Sequence, residues 1–407
     1  MEDPRPDYIR MSPADRLLPQ EEMLEVPHQH SNLTIGVPKE ISAQENRISL
    51  VPDGVALLCR NSHQVIIESG AGLTAHFTDH EYSEAGARIV NSPQEVFKAD
   101  IILKVGPVTN GEMELLHPKQ TLVSAIQIAM QCKEFFKGLS ARKVTALAFE
   151  LIRDKTNQLA VTRAMSEIAG STSIFIAAEY LTDKVYGRGK MFGGFTGINP
   201  SEVVIIGAGT VAEFAARSAL GLGALVKVFD NSVYRLRRIQ NNLGLRVFTS
   251  ILHPKVMTES MRTADVVIGA IHSSEGKTPC VISEEMVKQM KDGSVIIDVS
   301  IDQGGCFETS HPTSHSDPVF KLHGVTHYCV PNIPSRVPHT ASQALNNIIV
   351  PIILDVSKQG GIENLLKRDY GVRQGVYIFH GMSTNLFISR QYNLPFQDID
   401  LLMAAFH

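Results

Sequence analysis

The stretch VVIIGAGTVAEFAARSALGLGALVKVFD, residues 203–230, constrains this chain more than any other. An apolar strand runs into Gly207-Ala208-Gly209-Thr210-Val211-Ala212, a G-x-G-x-x-A turn. A helical pattern follows, and a second apolar strand ends at Asp230. Each small residue has its own reason to be there. Gly207 permits the tight turn, Gly209 lets the backbone approach a pyrophosphate, and Ala212 allows close packing of helix on strand. The helix N-terminus then offers free N–H groups and the positive end of its dipole to phosphates. Asp230 follows Gly207 by 23 residues, the place for a carboxylate that accepts hydrogen bonds from an adenosine ribose and repels a 2′-phosphate. NAD is the expected cofactor over NADP, with Arg235 close enough to soften that preference. The bland alternative is a Rossmann-like turn that binds nothing.

The same alternation of short apolar runs and helical stretches extends along the chain. "LTIGVPKE", 64–69, 100–105, 121–126 and 144–150 read as buried strands, with helix-like stretches at 51–61, 79–86, 93–98 and 132–142. Strands at this spacing predict a parallel sheet covered by helices on both faces. "MSEIAGSTSIFIAAEYLT" (165–182) reads as a buried helix, followed by a Gly-rich loop at 187–200. The pattern restarts with strands at 202–209, 225–230, 265–271, 294–302 and 326–334. A second long apolar helix covers 341–357, and the tail, 358–407, reads as mixed and mainly helical. The expected architecture is α/β: two Rossmann-like doubly wound domains, the NAD-binding one inserted in the catalytic one. The expected boundaries are an N-terminal extension at 1–31, a substrate domain at 32–164 and 341–407, and an NAD-binding domain at 165–340.

Composition narrows the partners. A net charge of −4 gives no electrostatic case for nucleic acid or for a polybasic membrane surface. There is no apolar run of about 18 residues, so no membrane insertion is expected. Residues 1–31 lack the apolar stretch of a signal peptide and read as a draped or mobile extension. Five scattered cysteines without C-x-x-C spacing look like reduced thiols of a cytoplasmic protein, mostly in or near the core. The fifteen histidines fall at no metal spacing, so no metal is expected. "SHPTSHSDP" (310–318) reads as a solvated loop.

Chemistry in such sheets gathers beyond the carboxyl ends of strands. Asp302 follows one strand and precedes Gln303-Gly304-Gly305, which suits a general acid/base or an amine-holding carboxylate. An Asx-turn or helix cap explains it equally well. Asn332 lies in the Pro-rich loop "CVPNIPSRVPHTAS", either lining a nicotinamide pocket or only connecting to the next helix. Arg47 sits beyond the first strand, in a polar stretch ahead of an apolar one. It could fork a substrate carboxylate or serve as a surface ion-pair partner. In "LVSAIQIAMQ" (122–131), Gln127 interrupts an apolar run, and a buried amide must be paired.

Several of these stretches together resemble the alanine dehydrogenases, a family that shares its fold with the nucleotide-binding subunit of proton-translocating transhydrogenases. The likeness covers most of 33–395. It is carried by "IGVPKE…ENRISLVPDGV", "ESGAG", "ADIILKV", "MSEIAG", "GRGKMFGGFTGINPSEVVIIGAGTVAEFAAR", "ADVVIGAI", "VIIDVSIDQGGCFETSHPT" and "YCVPNIPSRVPHT". It implies reversible oxidative deamination of L-alanine to pyruvate and ammonia, with hydride passing to NAD, and a homo-oligomer, hexamer or dimer. Arg47 matches the family's carboxylate-binding arginine and Asp302 its aspartate near nicotinamide and amine. The family's NAD-contacting positions match Ser166, Asp230, Arg235, Ile271, Val299, Ser300, Ile301, Asp302, Val330, Asn332 and Ile333. Two catalytic positions depart from the pattern. Where the family has a lysine in a "KVKEP"-like stretch, this chain reads Lys104-Val105-Gly106-Pro107, so Gly106 stands in its place. Where it has a histidine in an "FLHLA"-like stretch, "AIQIA" puts Gln127. Glutamine can hydrogen-bond a substrate but cannot shuttle protons near neutral pH. Lys104 lies two residues earlier, on the same strand face, and reads as structural. The resemblance thus implies an altered amino-acid dehydrogenase or, as the alternative, a non-catalytic or transhydrogenase-type NAD(H)-binding module.

Overall fold

The computed structural model describes residues 32–273 and 277–405; the extension expected at 1–31 lies outside the described residues. Two sheets organise the chain. The first contains β1 (Thr34–Val37), β2 (Gln64–Glu68), β3 (Arg88–Val90), β4 (Ile101–Leu103), β5 (Thr121–Ser124) and β6 (Thr145–Ala148). The second contains β7 (Glu202–Ile206), β8 (Leu225–Phe229), β9 (Phe248–Ser250), β10 (Val266–Gly269), β11 (Val295–Asp298), β12 (Val319–Leu322) and β13 (Val325–Tyr328). Two late strands, β14 (Val376–Phe379) and β15 (Met382–Ser383), return to the first sheet. The orders are β15-β14-β6-β5-β4-β1-β2-β3 and β12-β13-β11-β10-β7-β8-β9.

The strands are apolar on both faces because helices cover both. Ile35, Val65, Ile67, Ile101 and Leu103 pack on one side of the first sheet, while Ile66, Ile102, Leu122 and Ala146 pack on the other. In the second sheet Val203 and Ile205 face one core and Val204 and Ile206 the other. This period of two with no polar face is the mark of a parallel sheet between two helical layers.

The strand order reverses once in each sheet, between β1 and β4 and between β7 and β10. Loops leaving neighbouring strands part there in opposite directions and open a crevice. Arg47 and Gly106 belong to the segments that follow β1 and β4; Gly207 and Ile271 follow β7 and β10.

Some readings are refined. The tail is mixed and largely helical, as read, but it also adds two strands: β14 pairs antiparallel with β6, and β15 with β14. β12 likewise pairs antiparallel with β13, so each sheet is parallel with an antiparallel edge. These strands are two to four residues long, too short for their alternation to show in sequence. The two long helices start earlier than their apolar runs, spanning Ala160–Thr182 and Pro338–Lys358. Pro338 occupies the first turn of the latter, where a missing N–H costs nothing. The fifth strand stops at Ser124, so Gln127 is not in it.

Helix Ala160–Thr182 packs along helix Thr210–Gly221. A Cβ on Gly170 would lie 2.3 Å from the Val211 carbonyl oxygen, so only glycine allows this approach. The close fit carries Met165 and Ser166, one helical turn earlier, toward the polar loops described next.

Candidate active site

The Rossmann turn has the shape its sequence predicts. Gly207 adopts φ +112°, and a Cβ there would meet the Ala270 carbonyl oxygen at 2.4 Å. A Cβ on Gly209 would have no atom within 4 Å, leaving its backbone bare toward open space where a pyrophosphate can approach. Ala212 is fully buried between helix and strand. Asp230 is buried, its Oδ2 accepting the Ala208 N–H at 2.8 Å and its Oδ1 the Ser232 N–H at 2.7 Å. Arg235 is exposed, 3.9 Å from Asp230. The residues present therefore fit a dinucleotide: a bare glycine backbone, a helix start and a carboxylate at the strand end.

Ile271 donates its N–H to Ser300 Oγ at 3.0 Å, which joins the loop after β10 to the Val299–Gln303 turn after β11. Gln303 extends the joint, accepting the Ser273 N–H and donating to its carbonyl, both at 3.0 Å. Ile301 is buried and Val299 half-buried. Val330 and Ile333 are buried, while Ser166 is half-buried on the long helix.

The polar centre joins the loop after β1 to the turns after β11 and β13. Glu45 is buried and grips Arg47 with both oxygens, Nε to Oε1 at 2.7 Å and Nη2 to Oε2 at 2.6 Å. Arg47 is buried as well, so the reading of a surface ion pair is overturned. Burial disfavours the guanidinium charge, but Glu45 outweighs it and raises the pKa. The remaining arm, Nη1, touches only the Met165 sulfur, at 3.3 Å, a weak acceptor that a carboxylate would displace.

Asn332 bridges the halves. Its Nδ2 donates to Glu45 Oε2 at 2.9 Å, and its N–H donates to Asp302 Oδ1 at 2.9 Å. It does so from the left-handed region, φ 60° and ψ 50°, a conformation asparagine tolerates better than most residues. Asp302 keeps a solvent-accessible edge but is crowded by protein elsewhere. That desolvation raises its pKa, against the pull of the Asn332 N–H and of Arg47. A carboxyl poised above its ordinary value, with an open edge beside an arginine, can hold an ammonium or exchange a proton.

Lys104 is the buried cation of a triad, 2.7 Å from Glu112 and 3.4 Å from Glu40. Glu40 also accepts the Val105 N–H at 2.6 Å, and burial raises its pKa over the opposing effect of Lys104. Lys104 is thus fully engaged. Gly106 has one close neighbour, Glu40 Oε2, 3.2 Å from where a Cβ would stand. Gln127 is exposed in a left-handed turn, φ 48°, and its N–H donates to Glu150 Oε1 at 3.3 Å. It is therefore no core amide.

Comparison with known proteins decides the family. The description "Alanine dehydrogenase/PNT, N-terminal domain" matches residues 36–169, and "Alanine dehydrogenase/PNT, C-terminal domain" matches 173–385. The chain belongs to the alanine dehydrogenase/PNT family. Alanine dehydrogenase of Mycolicibacterium smegmatis is 36% identical over 373 residues, 91% of this chain and all of that one. The Bacillus subtilis alanine dehydrogenase is 37% identical over 359 residues, 88% of this chain and 94% of that one. A solved L-alanine dehydrogenase superposes with a TM-score of 0.83 at 36% identity, covering 89% of this chain and 99% of its own. A transhydrogenase from Sinorhizobium meliloti shares the fold, with a TM-score of 0.74 at 22% identity.

Arg47, Asp302 and Asn332, singled out in the sequence, are joined in the structure through one hydrogen-bonded chain, and two of their neighbours were not singled out. Glu45 was legible only as one more acidic residue in a polar stretch; its proximity to Arg47 was the available signal. His315 lies in the segment read as a solvated loop, yet its N–H donates to Gln44 Oε1 at 3.0 Å, and its Nε2 is buried without a partner. Among the described residues no group of three His, Cys, Asp or Glu is placed to hold a metal, and no helix is long and apolar enough to cross a membrane.

Proposed function

We propose that this protein is an NAD-dependent oxidoreductase of the alanine dehydrogenase type, oxidising the CH–NH2 group of a small amino acid to a 2-oxo acid. The single observation that carries this reading is the chain Arg47–Glu45–Asn332–Asp302, which joins the loop after β1 to the turns after β11 and β13. It brings a cation suited to a carboxylate and an anion suited to an amine into one hydrogen-bonded chain, which supports the reading. NAD, bound at the Gly207–Ala212 turn, supplies the hydride acceptor. Arg47 Nη1 would take the substrate carboxylate. Asp302 would hold the ammonium and receive a proton from it. Gln127 would contribute a hydrogen bond and no proton. The remaining matched positions, from Ser166 to Ile333, would line the dinucleotide. The division into 32–164 with 341–407 and 165–340 is supported by sheet membership. A cytoplasmic homo-oligomer follows from the relatives as a proposal.

The test is NADH formation by the purified full chain across L-amino and 2-hydroxy acids. NADH from at least one L-amino acid, abolished by Asp302→Asn, is expected. Measurable NAD binding with no turnover overturns the reading. Installing the family's residues together, Gly106→Lys with Gln127→His, should raise alanine oxidation by roughly 10²-fold, the lower end of what a general acid/base contributes. Glycine at 106 and glutamine at 127 also support a second reading, a module that only exchanges hydride with a partner's nicotinamide. Exchange between NADPH and an NAD analogue in the presence of such a partner, without amino-acid oxidation, would favour it.

A further inference from the structure

The last residue of β11, Asp298, is fully buried, and its carboxylate faces the turn that follows it. Oδ1 accepts the Ser300 N–H and Oδ2 the Cys306 N–H, both at 3.1 Å. The Cys306 thiol lies 3.8 Å from Oδ1. Two glycines leave room for this carboxylate. A Cβ on Gly305 would stand 2.6 Å from Oδ2, and one on Gly269, the register partner of Asp298 on β10, would stand 2.9 Å from Oδ1. The backbone folds back through Gly304 at φ +97° and Gly305 at φ +80°. The Gly304 N–H donates to the Ile301 carbonyl at 2.9 Å, and the Gly305 N–H to the Ser300 carbonyl at 3.0 Å. Asp302 lies between the two residues that Asp298 holds, and its own Oδ1 accepts the Asn332 N–H at 2.9 Å.

We propose that Asp298 is a positioning residue of this active site: by holding Ser300 and Cys306 to one buried carboxylate, it clamps the turn that carries Asp302 and fixes where Asp302 meets the substrate amine. The catalytic consequence rests on the amino-acid dehydrogenase reading; the clamp itself does not.

Two converging N–H groups need an acceptor on each arm. A carboxylate supplies both, whereas an amide of the same shape supplies one acceptor and one donor. Bonds to an ionised acceptor are also about twice as strong as neutral ones. Burial pushes this carboxyl up to about 6, and the hydrogen bonds from the turn pull it back toward the ionised form. Above that value both oxygens accept and the clamp is complete. A buried charge is costly, and a turn that only had to close could be held by a neutral side chain. The cost is matched to a turn whose Asp302 must not drift, since a displacement of about 1 Å at a reacting group costs up to about 10²-fold in rate.

Two variants and an exchange measurement on the full chain test this. Asp298→Asn keeps the shape and one acceptor; Asp298→Ala keeps neither oxygen. At saturating NAD and above neutral pH, kcat for an L-amino acid should fall about tenfold or more in Asp298→Asn and further in Asp298→Ala. KM should change little, because Arg47 and Glu45 are untouched. Independently of turnover, the Asn332 N–H should exchange with solvent deuterium about tenfold faster in Asp298→Asn, while the amides of β13 keep their rates. A merely structural aspartate would speed both together through lost global stability, or speed neither, and either outcome overturns the proposal. If NADH still forms with kcat unchanged in both variants, the clamp falls and the dehydrogenase reading stands. If no amino acid reduces NAD while the Asn332 amide is freed, that reading falls and the clamp stands.

Discussion

Glu45 shows how little a residue's neighbours in sequence say about what it does. Its carboxylate saturates two of Arg47's nitrogens and takes the Asn332 amide. Removing it leaves a buried guanidinium uncompensated, which costs far more than the pair contributes. Glu45→Ala should therefore lose about 3 kcal/mol of unfolding free energy in a denaturant titration, and weaken amino-acid binding more than NAD binding. A second residue makes a pH prediction. Asp298, fully buried at the end of β11, has its carboxyl pushed up to about 6 by burial, tempered by hydrogen bonds from Ser310, Cys306, Ser300 and Phe307. The folded state thus holds that proton more tightly than the unfolded chain does. Its contribution to stability is present at low pH and is lost as pH rises from the ordinary aspartate range through about 6. A shift of this size corresponds to about 3 kcal/mol. The difference in unfolding free energy between the protein and Asp298→Asn, measured across that window, should change by that order and in that sense.

Elements carry the cofactor site. The β7–turn–helix unit was readable in full because its requirements are local: Gly207 needs a positive φ that other residues avoid, and the helix must start at once. Gly207→Ala would drive a methyl into the Ala270 carbonyl at 2.4 Å. Fluorescence titration should show NADH affinity falling about tenfold or more, which is 1.4 kcal/mol or greater, with the fold kept. The short edge strands were not readable. β14 and β15 owe their state to the exposed edge of β6, since the unpaired backbone of one strand recruits the next. The turn at Gln127 is set the same way, by Glu150 from the neighbouring strand end accepting the N–H groups of Ile126 and Gln127.

At the scale of the whole molecule, one segment early in the chain is pinned by polar bonds to segments near its end. Asn46, Ile48 and Val51 donate their N–H groups to Ser335, Ser342 and Asn346 at 2.8, 2.9 and 3.2 Å. These residues lie nearly 300 positions away along the chain. Ser342→Ala would leave the buried Ile48 N–H without its acceptor, a loss of about 1–3 kcal/mol. The melting temperature should fall, while NAD affinity stays unchanged because the Rossmann turn is remote from that pin. Composition, strand periodicity and the glycine turn were enough to specify the α/β class, the dinucleotide site and the strand ends where chemistry collects, because each depends on a few residues in a row. The bond from Asn332 to Glu45 and the bond from the His315 N–H to Gln44 depend on loops of the two sheets meeting, and the engagement of Lys104 by Glu40 depends on β1 and β4 lying side by side. Sequence spacing carries no such distance. Tertiary packing alone decided them, by pressing loops from both ends of the chain into one desolvated cleft where charges must find partners.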